Sequence, residues 1–267
     1  MTAPAAGWVE KLRRRGDVPP PATREPLALE RSRTVIGSIE RALAERARAE
    51  GLPVAGAEGK GWVVEGEPDA ALDALARWLD ARRLCSRWRG ETLAVVDERG
   101  ATVARVERAA VRALGIATHA VHLVGRRPDG RWWVQLRAHD KSIDPGLWDT
   151  LMGGLVAAGE SVAQTLARET QEEAGLPIGA LGGARATDQI TVRRPVADGY
   201  MIEHIAVHEA VVPEGVVPVN RDGEVARFEC LDTAALLARL KDDAFTLEAA
   251  LILLGVLERA GALDAQA

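Results

Sequence analysis

The sequence predicts an α/β protein in two units, residues 1–110 and 111–267. Three observations lead there. Strand-like and helix-like segments alternate along most of the chain. A connector at residues 106–115 separates two stretches of different texture. In the second stretch an amphipathic helix opening at Ser161 and stopping at Gly175 follows directly on a glycine passage.

In chain order, residues 1–25 read as peripheral, because Pro19, Pro20 and Pro21 exclude a helix interior or a central strand. Thr34, Val35 and Ile36 make residues 26–36 strand-like. A helix is expected over 39–50, ending at Gly51, and a short strand over 61–65. Leu72, Leu75, Trp78 and Leu79 share one side of an expected helix over 69–84. Residues 91–96 and 101–106 flank Asp-Glu-Arg-Gly and read as a hairpin. Strands follow at 119–127 and 132–137, around a Pro-Asp-Gly turn in which proline sets φ and glycine accepts a positive φ. Further strands are expected at 190–194 and 201–212, and closing helices at 234–240 and 247–260.

Composition narrows the function classes. With 47% hydrophobic and 27% charged residues the chain has globular usage. Its 34 Lys+Arg against 39 Asp+Glu give a net charge of -5, which lacks the positive footprint of a nucleic-acid binder. Two cysteines, Cys85 and Cys230, exclude a disulfide scaffold or a Cys-rich zinc module and read as inert thiols. The apolar run at 247–257 is too short to span a bilayer and contains Glu248, and no secretory h-region accompanies Arg13–Arg15. The expectation is a cytoplasmic protein with a small-molecule partner, no nucleic acid and no membrane.

The chemistry concentrates at residues 154–176. Ser161 and Gln164 form a capping box, Gly175 stands at the C′ position, and Pro177 prevents continuation. At about 100° per residue, Val162, Ala163, Leu166, Ala167, Thr170 and Ala174 share the expected buried arc. Glu169, Glu172 and Glu173 share the neighbouring arc, and Arg168 is the one cation beside them. Such like charges destabilise a helix by a few tenths of a kcal/mol per pair, so a reason is needed. Hard oxygen ligands with little neutralisation suit Mg²⁺, or Mn²⁺, bridging a diphosphate. Gly153, Gly154 and Gly159 allow a tight loop and close backbone approach to a ligand.

This stretch resembles the Nudix box, G-x5-E-x7-R-E-U-x-E-E-x-G-U with U bulky and apolar. All seven fixed residues are present: Gly154, Glu160, Arg168, Glu169, Glu172, Glu173 and Gly175. Thr170 departs from the first U position, where its hydroxyl can return to a carbonyl one turn back. The resemblance implies an α/β/α sandwich with a mixed sheet, preceded here by the small α/β unit, and hydrolysis of an organic X-diphosphate. It implies metal binding by Glu169, Glu172, Glu173 and the Gly154 carbonyl, with Glu160 and Arg168 as a brace. Glu169 and Glu172 are also candidate catalytic groups, and Glu224 is the candidate recruited from outside the box; which glutamate is the base stays open. The flanks (residues 106–125, 139–161 and 220–228) resemble thiamine-pyrophosphokinase-related Nudix hydrolases, which implies thiamine diphosphate or an oxidised analogue as substrate, cleaved to the monophosphate. Two alternatives stand beside it: a nucleotide or nucleotide-sugar diphosphatase, and a Nudix-fold ligand sensor without turnover. Isopentenyl-diphosphate isomerases share the fold but need a cysteine near the glycine passage, where neither Cys85 nor Cys230 lies.

Arg126, Arg127, Arg131, Arg137 and Lys141 gather positive charge, and Arg137 and Lys141, nearest the loop, are the substrate-binding candidates. Trp132 and Trp133 face opposite sides of their strand. Trp148, just before the glycines, is a candidate for substrate contact. His119, His122, His204 and His208 read as core or edge residues.

Overall fold

The computed structural model describes residues 7–56, 61–141 and 143–263. The first unit grows from a hairpin. Strands β1 (Arg24–Leu29) and β2 (Val35–Glu40) pair antiparallel, and the expected single strand at 26–36 is instead their corner, with Arg33 at φ 57°. β4 (Trp62–Val64) runs parallel to β1, and β3 (Val54–Gly56) antiparallel to β4, giving the order β2-β1-β4-β3. Helices α2 (Arg41–Ala49) and α3 (Pro68–Ala81) pack on it. Leu72, Leu75, Trp78 and Leu79 of α3 are all buried, as the 3.6-residue period requires. β5 (Thr92–Val96) and β6 (Thr102–Glu107) form a separate hairpin.

The connector is no exposed linker. Ala109, Ala110, Val111, Ala113 and Leu114 are buried, the Arg24 guanidinium donates to the Ala113 carbonyl at 2.9 Å, and the Arg112 carbonyl accepts from Tyr200 N–H at 2.9 Å. One segment thereby binds both units.

The second unit is a seven-stranded mixed sheet. Its main path is β11 (Gly182–Val196), β12 (Gly199–Val211), β7 (Thr118–Arg126), β8 (Trp132–Arg137) and β13 (Val225–Leu231). β12 and β7 run parallel; β10 (Met152–Leu155) pairs with β7 and β9 (Trp148–Asp149) with β8. Helix α4 (Val162–Ala174) covers one face; α5 (Thr233–Lys241) and α6 (Leu247–Arg259) cover the other. Trp132 packs on the α6 side and Trp133 on the α4 side, the alternation a strand imposes.

Residues 7–16 are not peripheral. They form α1 (Gly7–Gly16), whose Val9 and Leu12 are buried with α6 in the core of the second unit. Val18 N–H donates to the Arg193 carbonyl at 2.9 Å, and Tyr200 Oη donates to the Val18 carbonyl at 2.7 Å. The first described helix therefore packs with the last.

Candidate active site

Helix α4 starts and stops where its sequence says. Ser161 Oγ accepts from Gln164 N–H, Gln164 Oε1 accepts from Ser161 N–H at 2.9 Å, and Gly175 is left-handed at φ 64°. Thr170 Oγ1 donates to the Leu166 carbonyl at 2.6 Å, so its hydroxyl sits satisfied in an apolar place. The buried face is rotated from the expected one. It holds Thr165, Leu166, Thr170, Glu173 and Ala174, and Ala163 is exposed.

That rotation separates the three glutamates. Glu173 is 3% exposed; its Oε2 accepts from Gly153 N–H at 3.1 Å and from Gln135 Nε2 at 3.0 Å. Burial pushes its carboxyl up to about 8. Glu173 thus holds the glycine passage from behind instead of lying on a surface arc, and it does not line the cavity described below. Glu169 and Glu172 do line it, and Arg168 Nη1 bonds both, at 2.9 and 3.0 Å. The rest of Arg168 grips Glu160 through two bonds of 2.9 Å, and Thr165 Oγ1 adds a bond of 2.8 Å to Glu160. This is a paired-fork contact that fixes the loop against the helix. Burial raises Glu169 to about 7, Arg168 opposes the shift, and the charges of Glu172 and Glu224 add to it. A Cβ on Gly154 would overlap the Glu169 carboxylate, and one on Gly153 the His122 ring, so a side chain at either position would displace one of these groups.

These groups face a cavity of about 550 Å³ between the two units. Glu160, Arg168, Glu169, Glu172 and Gly154 come to it from the box, and Glu224, Arg137 and Lys141 from outside. Lys141 Nζ forms an ion pair with Glu224. Burial, the largest single influence, works to raise the Glu224 carboxyl, but the bond and charge of Lys141 together with the charges of Arg108 and Arg137 outweigh it and the net shift is downward. Arg137 is anchored to the carbonyls of Ile143 and Asp144 and lies 3.4 Å from Asp149.

Trp148 is a correction. It is 7% exposed, packs in the α5–α6 core with Arg239 and Arg227 against its ring, and does not line the cavity. Its side of β9 points away from the site; the next residue, Asp149, points toward it. Trp132 and Trp133 do not line it either, and no Trp, Tyr or Phe is among its described lining residues. Arg127 and Arg131 pair with Asp129, and Arg126 lies over Trp132, all outside the lining. Cys85 and Cys230 are also outside it, and burial raises both thiols, Cys85 to about 11.

Sequence reasoning missed the other half of the wall. His122, Glu203, Arg112, Arg194 and Glu248 line it together with Thr118. In strands such residues look like an outward polar alternation. The one visible signal was Glu248 inside an apolar helix, and it is 9% exposed.

Among the described residues no three His, Cys, Asp or Glu side chains converge as a ready-made metal cluster. The donor set nonetheless fits a hard cation. One nitrogen of Arg168 already reaches oxygens of both Glu169 and Glu172, and the Gly154 backbone faces the same space.

The family description "NUDIX domain" matches residues 117–251, half of the chain. Nudix hydrolase 20, chloroplastic, of Arabidopsis thaliana is 32% identical over 151 residues, 52% of this chain and 38% of that one. The matched segment therefore spans under two-fifths of that relative's length. An isopentenyl-diphosphate Delta-isomerase of Leifsonia xyli subsp. xyli is 33% identical over 153 residues, 55% of this chain and 80% of that one. The crystal structure of DR0079 from Deinococcus radiodurans is 25% identical, covers 58% of this chain and 92% of its own, and has a TM-score of 0.48.

Proposed function

The chain belongs to the Nudix family, and from that premise we propose that it is a Mg²⁺-dependent hydrolase (Mn²⁺ serving as well) of small organic diphosphates. The observation that carries this reading is the meeting, on one cavity, of Glu169 and Glu172 with Glu224, which is recruited from beyond the box. Bound there, the cation would neutralise diphosphate charge and acidify a water. Glu169, Glu172 and the Gly154 carbonyl are its proposed holders. Glu173, held by Gln135 and Gly153, fixes the passage that presents that carbonyl. Glu160 and Arg168 brace the loop against the helix.

The proposed reaction is attack of a water oxygen on one phosphorus. The new P–O bond forms as the bridging P–O bond breaks. Glu224 accepts the water proton, and the departing phosphate oxygen carries away the electron pair. Lys141 and Arg137, the cations at this end of the cavity, face the phosphate oxygens and stabilise the developing charge, the usual source of catalysis in phosphoryl transfer.

The first unit, with its strands β1–β6, then caps the site of the second, since Ser86, Glu91 and Arg108 line the same cavity. For the organic half we propose thiamine diphosphate or an oxidised analogue, supported by the resemblance of the flanking segments; a nucleotide, a nucleotide sugar and a sensor without turnover are the competing outcomes. The isomerase likeness is not followed, because neither cysteine reaches the cavity. No helix among the described residues is long and apolar enough to cross a membrane, and we place the protein in the cytoplasm.

The test is cleavage with Mg²⁺ of thiamine diphosphate, ADP-ribose and isopentenyl diphosphate, read as inorganic phosphate from the first and third and as AMP from ADP-ribose. The expected result is kcat/KM for thiamine diphosphate at least about tenfold above ADP-ribose. ADP-ribose ranked first would overturn the substrate, and binding without turnover of any of the three would overturn the hydrolase.

A further inference from the structure

Beyond the residues that face phosphate, the cavity continues over one face of the sheet. Thr118, Ala120 and His122 alternate along β7, and Met201 and Glu203 along β12. Glu203 pairs with Thr118 across β12 and β7. Its Oε2 accepts from Thr118 Oγ1 at 3.3 Å, and the carboxylate lines the cavity. Glu203 is half-buried, with Glu248, Arg112 and Arg108 its charged neighbours. Arg194 pairs with Met201 across β11 and β12, which makes it the diagonal neighbour of Glu203. It reaches Glu248 at 3.4 Å through Nη2, and its Nε is buried without a partner.

A guanidinium N–H buried without an acceptor costs free energy unless something completes it, and the Glu203 carboxylate offers an acceptor on the same wall. Glu203 also has the wrong chemistry for the diphosphate end, because its charge would repel it. The two do match the edge of a ring that carries a donor beside an acceptor.

We propose that Glu203 and Arg194 recognise the organic half of the substrate, and that this half is an amino-substituted nitrogen heterocycle. Its amino N–H donates to Glu203 Oε1, and its neighbouring ring nitrogen or carbonyl accepts from Arg194 Nε. Burial, then the charge of Glu248, raises the affinity of Glu203 for its proton, to about 7. This rests on the hydrolase reading for its readout by turnover, but not for its readout by binding.

The test uses the full chain with Mg²⁺ and three substrates: thiamine diphosphate, cytidine diphosphate and isopentenyl diphosphate. The first two carry an aminopyrimidine edge, and the better of them identifies the source of the ring; the third has no nitrogen. Glu203→Leu should lower kcat/KM for the better aminopyrimidine substrate at least about tenfold, chiefly through KM, and leave isopentenyl diphosphate within about twofold. Glu203→Gln, which keeps an acceptor oxygen, should recover part of the loss. Equal losses on all three substrates, or no loss on any, would overturn the proposal. If nothing is hydrolysed, the hydrolase reading fails. Calorimetric titration of the same aminopyrimidine ligands then decides this one: weaker binding to Glu203→Leu supports it, and equal or absent binding to both proteins overturns it.

Discussion

Lys141 and Glu224, 83 residues apart, meet as an ion pair on the wall of the cavity. The pair sets Glu224 against the box glutamates, and Lys141 helps to hold its carboxyl below the usual range. Glu224→Gln keeps the shape and removes the acceptor charge. The expected outcome is a fall in kcat of about a hundredfold or more, larger than any rise in KM. Unchanged steady-state kinetics would return Glu224 to a structural role in its turn.

Removal of divalent cations is the second check. With the cation gone, only Arg168 stands between Glu169 and Glu172. Hydrolysis should vanish in excess chelator and return on adding Mg²⁺ or Mn²⁺. Full activity in chelator would end the metal assignment.

Glu173 is expected to matter first to the fold. Glu173→Ala leaves Gly153 N–H and Gln135 Nε2 without acceptors inside the protein, at a cost of about 1–3 kcal/mol for each buried group. The melting temperature should drop by several degrees, whereas Glu173→Gln, which preserves the acceptor, should melt close to wild type. Thermal unfolding of the two variants in chelator measures this. An alanine variant as stable as wild type would show that the two bonds contribute nothing.

The fourth expectation concerns pH. Burial first, then the charge of Glu248, raises Glu203 from 4.5 to about 7 in the folded chain. Between those values the folded protein keeps a proton that the unfolded chain releases, so rising pH favours unfolding. The contribution is full below about 4.5 and is lost as pH passes about 7. Glu203→Gln has no such loss. Its melting temperature relative to wild type should therefore climb between pH 5 and pH 8; a constant difference would show that Glu203 titrates normally.

The legible parts of the molecule were those with local causes. α4 could be bounded from Ser161, Gln164 and Gly175 because caps are sequence-local chemistry. The glutamate spacing likewise fixes which residues share one side of α4. Helical spacing gives an angle, however, and only packing decides which part of the arc meets the sheet; so Glu173 was placed outside when it is inside. Trp148 failed for a related reason: proximity in sequence to the glycines says nothing about the side of β9 it takes. β13 was not seen because Arg227 and Glu229 interrupt its apolar run and its partner β8 lies far back in the chain. Glu203 and Arg194 were invisible because charged residues on strands ordinarily face water, and here the first unit roofs them.

The docking of α1 on α6 has a consequence for biogenesis. A ribosome releases Val9 and Leu12 long before Leu254 and Leu257 exist, so this apolar stripe stays uncovered while the chain between is made. Its closure must wait until α6 has been made and α1 can lie on it. A nascent chain halted before residue 247 would keep that stripe exposed, and chaperones that grip short apolar helices would find it there.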